Sequence, residues 1–261
     1  MMNSRTFAVG TLLAMSAAAL PAPAFAGCEA QSGPGTAALV ELYTSEGCSS
    51  CPPADRQLSR LQQSLDASAV VVPLSLHVGY WDYIGWKDPF AQDSFAERQS
   101  WLTHANHQGV VYTPHFFVSG TELRGWQGSL RDEVRQLNAK PAGAQIKISA
   151  DLASKDALTL TADATVHNAG DRVDLYLAVA ENGLVSKVAR GENGGATLAH
   201  DHVVRAWIGP IPLAGGEARV RRQIDLPASW NRSQLEFVAF VEDARTGRVL
   251  QAVGAKQCAK S

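Results

Sequence analysis

Two cysteines three residues apart, Cys48 and Cys51, lead the residues whose types and spacing can do chemistry. They sit in Gly47-Cys48-Ser49-Ser50-Cys51-Pro52-Pro53, between a short apolar run, Ala38–Tyr43, and a stretch with Leu58, Leu61 and Leu65 at helical spacing. Cysteines at i and i+3 of a helix start lie on one face, close enough for a disulfide. Helix N-termini carry unsatisfied N–H groups and partial positive charge, and both favour a thiolate. The chemistry implied is thiol–disulfide exchange, with Cys48, nearer the loop, attacking and Cys51 resolving. The same spacing is half of a zinc site, but no second C-x-x-C or H-x-x-x-H follows. A purely structural disulfide is the plain alternative.

These residues need a frame. Residues 36–140 read as alternating strands and helices in the order β-α-β-α-β-β-α. Ala69–His77 is a near-continuous apolar run, as expected of a strand buried on both faces. Ala91–Gln108 reads as an amphipathic helix and Gln127–Asn138 as a closing one. Lys140-Pro141-Ala142-Gly143 is a breaker cluster. Residues 143–256 hold seven or eight alternating runs and no convincing helix, the pattern of a β-sandwich. The expected fold class is therefore an α/β domain, 36–140, followed by an all-β sandwich-like domain, 143–256.

A second signal is Tyr112-Thr113-Pro114-His115 leading into Phe116-Phe117-Val118, about sixty residues after the cysteine pair. With the strand–C-x-x-C–helix order, it makes Ala38–Asn138 resemble the thioredoxin superfamily. The signatures VELYTSEGCSSCPPADRQL, LSLHVGYWDYIGWKDPF, YTPHFFVSG and RGENGGATLAHDHVVR together look like an uncharacterised family of exported bacterial thioredoxin-like proteins, known mainly as a domain of unknown function. The resemblance implies a cis proline at Pro114 that offers backbone to a substrate, with Thr113 and His115 beside it, and the aromatic-dense loop with Tyr80 and Trp81 suits a recognition surface lining the groove, or else covers the sheet as part of the core. It also implies a buried acid, Glu41, that takes the proton of the resolving cysteine. The chain departs from ordinary thioredoxins in Ser49-Ser50 between the cysteines, in Gly47 before them, and in Pro52 after them. A residue before proline disfavours helical backbone, so the helix is expected to start near Pro52 or Pro53.

Two thiolates plus an imidazole make a soft site that suits Cu(I). An alternative function is thus a copper-binding or copper-delivery protein using Cys48, Cys51, His77 and His115. Exchange itself requires no cofactor. A third possibility is a non-catalytic binding protein that uses the aromatic loop Tyr80–Trp86 and the sandwich and keeps the disulfide as a staple. Asp55 reads as a stabiliser of the first helical turn, Arg190–Gly195 as a connecting loop and His200-Asp201-His202 as a solvated turn. Cys28 and Cys258 stand near the two ends of the mature chain, and because domain termini are often close, they are expected to form a structural disulfide.

Residues 1–26 have the three parts of a secretory signal: Arg5, the apolar stretch Phe7–Leu20, and Ala24-Phe25-Ala26. Phe25-Ala26-Gly27-Cys28 also reads as a lipoprotein box. Periplasmic or secreted localisation follows, with no membrane span after signal removal. Lys plus Arg number 23 against 25 Asp plus Glu, without the basic excess of a nucleic-acid binder. The expected partners are periplasmic protein thiols and disulfides. The oligomeric state and the direction of electron flow are left open by the sequence.

Overall fold

The computed structural model describes residues 1, 28–152, 154, 156–167 and 172–255 of the 261-residue chain. The expected signal segment and Cys258, and with it the expected Cys28–Cys258 bond, lie outside the described residues.

Strand β1 (Cys28–Gln31) precedes β2 (Ala38–Thr44), helices α1 (Pro52–Ser59) and α2 (Leu61–Ser64), and β3 (Val71–His77). Then come α3 (Asp93–Ala105), β4 (His115–Val118), β5 (Thr121–Glu122) and α4 (Trp126–Asn138). The second half is made of β6 (Ala144–Asp151), β7 (Ala157–Val166), β8 (Val173–Glu181), β9 (Leu184–Lys187), β10 (Thr197–His200), β11 (Val203–Pro212), β12 (Glu217–Asp225), β13 (Leu235–Asp243) and β14 (Val249–Ala255). Proline at the first two positions of α1 supplies preset backbone where no N–H partner is lost. Cys51 before it keeps helical backbone, φ −78° and ψ −37°, contrary to the sequence expectation. Arg60, with ψ near 0°, interrupts what the leucine spacing reads as one helix.

The expected fold class, an α/β thioredoxin-like domain followed by a separate sandwich, is corrected by the sheet topology. The molecule is mostly β. One eight-stranded mixed sheet runs β14-β13-β8-β11-β3-β2-β4-β5 and so takes strands from both halves of the chain. The join is a single parallel pair, Val203 with Ser75, reinforced by the Ser75 N–H donating to His202 O at 2.8 Å. A four-stranded antiparallel sheet, β1-β6-β7-β12, packs on one face of the β8–β13 region, and β9 and β10 form a small hairpin of their own. Hydrophobic periodicity identifies most of these strands, but periodicity does not say which strands are neighbours.

Period-two alternation divides β2 between two cores. Val40 and Leu42 meet Ala54, Leu58 and Leu61 of α1 and α2, together with Phe116, Leu130 and Val134. Leu39 and Tyr43 face the other way, into a core shared with Leu74, Leu76, Phe95 and Phe117 and with Tyr176, Ala178 and Phe240 from the second half. The sheet curls so that β14 returns toward β2 and β3, where Gln251 accepts the Ala37 N–H at 2.8 Å and donates to Gly33 O and Gly35 O.

Candidate functional site

Cys48 and Cys51 are joined by a disulfide with Cα atoms 5.4 Å apart. The loop is tightly wound: the Cys48 N–H donates to Ser45 O, the Cys51 N–H to Cys48 O, and the Ala54 and Asp55 N–H groups to Cys51 O. Gly47 lets this loop approach the aromatic segment, since a Cβ there would stand 2.9 Å from the Trp81 Cβ. Trp81 Nε1 donates to Thr113 Oγ1 at 2.7 Å, and the Thr113–Pro114 peptide is cis. Tyr80 O–H donates to Gln99, whose amide in turn donates to Tyr112 O. Thus Trp81 connects the cysteine loop to Thr113 and Pro114, with the exposed Tyr80, Tyr83, Val110 and Val111 on nearby loops.

The disulfide is closed to solvent. Cys48 is 1% and Cys51 0% exposed, although Ser49 and Ser50 between them are exposed. The cover includes the loop that joins β9 and β10. Asn193 Nδ2 donates to both Glu46 O and Cys48 O at 2.9 Å, and the Ser49 N–H donates to Glu192 Oε2 at 2.9 Å. Sequence reasoning takes Arg190–Gly195 for a mere connection; its Gly-rich pattern gives no sign of the partner it reaches.

Joined to the loop through Glu46 is a buried cluster of titratable groups drawn from distant parts of the chain. His77, at the end of β3, is hydrogen-bonded through Nδ1 to Asp88 Oδ2 at 2.7 Å, and the same Asp88 oxygen accepts the Glu46 N–H at 2.8 Å. Glu46 is bonded to Trp86 Nε1 at 2.7 Å and to His200 Nε2 at 3.1 Å. The His77 and His200 rings meet edge-on with centroids 5.0 Å apart. Asp55, on the first turns of α1, places Oδ2 3.9 Å from His200 Nδ1, too long for a hydrogen bond. Asp55 Oδ1, His77 Nε2 and His200 Nδ1 are buried without a hydrogen-bond partner among the described residues.

Burial dominates the electrostatics and is answered differently at each group. It raises the Asp55 carboxyl, and His200 and His77 only partly oppose it. For Asp88, burial pushes upward, but His77 and the backbone N–H groups of Glu46 and Phe90 outweigh it and lower the pKa. Burial would lower His77, but the Asp88 charge and hydrogen bond leave it raised. Burial also pushes Glu46 upward, yet hydrogen bonds with His200, Ser186 and Trp86 overcome it and leave the group lowered. The shifts of His77 and Asp88 both favour the charged pair, whereas burial shifts Asp55 in the direction of its neutral form.

Several expected site residues are placed elsewhere. Glu41 lies on the face of β2 that bears Leu39 and Tyr43, opposite the face covered by α1. There it accepts from Arg98 Nε at 2.7 Å, Arg98 NH2 at 3.2 Å and Tyr43 O–H at 3.2 Å. Arg98 donates equally to Glu242 of β13, at 2.8 and 3.1 Å. Glu41 is thus part of a buried ion triad that fastens the two halves of the chain, and the acid on the α1 side is Asp55. His115 also occupies the face opposite α1, stacked on Tyr112 at 4.1 Å, with its ring nitrogens engaged by Gln99 and Glu122. It does not join Cys48, Cys51 and His77, and no group of three or more His, Cys, Asp or Glu among the described residues is placed to hold a metal. His200 is buried on β10 and His202 pairs with Glu236 at 2.8 Å, which corrects the reading of both as a solvated turn. Glu46 and Asp88 escape sequence reasoning because each is only a polar residue beside apolar ones, whereas Asp55 and His200 are noticed there but given the roles of a helix stabiliser and a turn.

The family description "Protein of unknown function (DUF1223)" matches residues 39–242 of the chain. No curated protein matches it. Protein AGR_C_4864 from Agrobacterium tumefaciens is a similar solved structure, 24% identical, covering 86% of this chain and 96% of its own, with a TM-score of 0.59. HBP35 of Porphyromonas gingivalis is 16% identical, covers 88% of this chain and 79% of its own, and has a TM-score of 0.65. Both likenesses speak to the fold alone.

Proposed function

The chain belongs to the DUF1223 family of unknown function, and on that premise we propose that it performs thiol–disulfide exchange on exported proteins through Cys48 and Cys51. The observation that carries this reading is the buried titratable cluster tied to the cysteine loop. A staple is best served by apolar packing, whereas the Asp55 N–H donates to Cys51 O, and Glu46, in the loop itself, is hydrogen-bonded to Asp88 and His200. Buried titratable groups with shifted pKa values cluster at working sites.

In the reaction, a substrate thiolate attacks the Cys48 sulfur. The Cys48–Cys51 bond breaks, its electron pair leaves on Cys51, and the start of α1 favours that thiolate. A second substrate thiolate then attacks the substrate sulfur of the mixed disulfide and displaces Cys48. The substrate leaves oxidised to a disulfide, and the protein holds the reduced pair. Run backward, the same steps reduce a substrate disulfide. Trp81, Thr113 and Pro114 form the flank against which the substrate backbone would lie, and exposed Tyr80 and Tyr83 supply apolar contact. The substrates fit a compartment where disulfides persist, and among the described residues no helix is long and apolar enough to cross a membrane.

A specific observation favours a second reading, the structural staple: both cysteines are closed to solvent. The two separate in one experiment. The protein is equilibrated in glutathione or dithiothreitol buffers, and the Cys51→Ser variant is offered a peptide containing a disulfide. Exchange predicts a potential above about −300 mV and a mixed disulfide trapped on Cys48. A potential below about −300 mV with no trapped adduct establishes the staple and overturns exchange.

A further inference from the structure

The loop Arg190–Gly195 does more than bridge β9 and β10. Its two polar side chains satisfy three backbone groups of the cysteine loop: Asn193 donates to Glu46 O and Cys48 O, and Glu192 accepts from the Ser49 N–H. These are peptide donors and acceptors beside the sulfur that a substrate must reach, and an extended polypeptide approaching Cys48 would use the same ones. The loop therefore occupies the cysteine loop as a bound chain would, with side chains in place of a partner's backbone.

The geometry points to an internal cap: the Glu192–Asn193 tip is a strap that shields Cys48–Cys51 and is displaced by an extended, cysteine-containing polypeptide before exchange. Three features fit displacement. The hairpin β9–β10 is a two-stranded sheet separate from the large one, so no ladder hydrogen bonds of that sheet break when its tip lifts. Gly191 and Gly195, at φ +76° and +87°, flank the tip with residues that reach positive and negative φ alike. Glu192 is exposed, so its bond to Ser49 competes with water. The tip still has a defined seat, because a Cβ on Gly191 would stand 3.1 Å from Ile84 Cδ1 and 3.5 Å from the Trp86 Cβ. The opposite end of the hairpin stays anchored by His200 on Glu46, so the tip alone need move.

The inference rests on the exchange reading for its purpose, but it concerns access to the bond and is tested without a physiological substrate. The full chain is exposed to dithiothreitol, quenched with acid and alkylated, and reduction of Cys48–Cys51 is followed on the peptide that carries both. Attack of the dithiol on Cys48 releases Cys51 as thiolate, and the reagent's second thiol closes on the first, leaving oxidised dithiothreitol and a reduced protein. If reaction occurs through an open population, removing three hydrogen bonds with Glu192→Ala/Asn193→Ala raises the rate constant by about tenfold or more, the single Asn193→Asp variant giving an intermediate rise. A folded double variant that reacts within about twofold of the natural protein overturns the strap. Should the double variant fail to fold, hydrogen exchange in the natural protein decides: a protected Ser49 amide supports the strap, and exchange at the rate of an open loop overturns it. Strap-dependent reduction by dithiothreitol with no adduct from any peptide disulfide would remove exchange and leave the strap. Rapid, strap-independent reaction with both reagents would do the reverse.

Discussion

Two buried clusters of charge stand on opposite faces of β2, and they are built on different rules. On one face Arg98 divides its guanidinium between Glu41 and Glu242, Tyr43 completes Glu41, and the rings of Tyr176, Trp207 and Phe240 lie about the cation at 5.0–5.2 Å. Arg98, Glu41 and Glu242 all have hydrogen-bonding partners, and the triad ties α3 and β2 to β13. On the other face Asp55, His77 and His200 each keep a buried atom with no hydrogen-bond partner among the described residues. The first cluster is matched to itself, whereas the second gathers titratable groups of mixed sign that are joined through fewer hydrogen bonds. An invariant interior favours the first arrangement, and a working site tolerates the second.

The sharpest way to break this contrast is Arg98→Met. It strands Glu41 and Glu242 in the interior, and the expected loss is about 3–5 kcal/mol in denaturant unfolding. Replacing all three ionic residues together by apolar ones of similar volume should cost far less, because no lone charge remains. A loss from the single variant no larger than that of the triple would show that the triad is not holding the halves together. Next in size, Gly47→Ala forces a methyl against Trp81 and should cost about 1–3 kcal/mol, with rapid reduction of the disulfide as the loop and the aromatic segment part. An unchanged melting temperature would mean that the segment yields freely.

The double variant Cys48→Ser/Cys51→Ser probes the second cluster from the cysteine loop. The closed loop is so short that the chain-entropy model allows only roughly 2 kcal/mol for its loss. A far larger loss, read from urea titration, would identify the bond as a staple. The smallest effect is expected from Asp55→Asn. Because burial raises the folded-state pKa of Asp55, ionisation there weakens the native state, and the associated stability is lost as pH rises through the folded value. The Asp55→Asn variant should therefore melt higher than the natural protein at a pH of about 7.5, where the unfolded carboxyl is fully ionised. The gain should shrink as pH falls through the folded value and vanish below the ordinary aspartate range of about 3.9. A gain independent of pH would contradict the assignment.

Much of this architecture is legible in the sequence, and the illegible part has a common cause. Ala157–Val166 announces β7 by strict alternation, and Cys48–Pro53 announces a helix start through its prolines. These are local rules, satisfied within a few residues. The neighbour of Ser75 is Val203, and no local pattern records it, so one sheet reads as two architectures. The site divides in the same way. Cys48 and Cys51 stand out by spacing, but analogy assigns Glu41 to the wrong face. The parity of β2 corrects it, because Glu41 shares a face with Leu39 and Tyr43 while α1 covers Val40 and Leu42. Asn193 and His200 come to the cysteine loop through a hairpin whose docking depends on the whole sheet.

The single pairing between Ser75 and Val203 also governs how the chain can be made. As the polypeptide emerges in order, β3 is complete long before the strand that flanks it exists. Until then the edge of Val71–His77 is open, and the apolar side chains of Leu39, Leu74 and Leu76 lack the cover that Ala178 and Phe240 later give them. Contacts so distant along the chain form slowly, and an open apolar edge invites association with other chains. A fragment ending near Lys140 should therefore be captured by a holdase or precipitate, and supplying the remaining residues as a separate chain should rescue it.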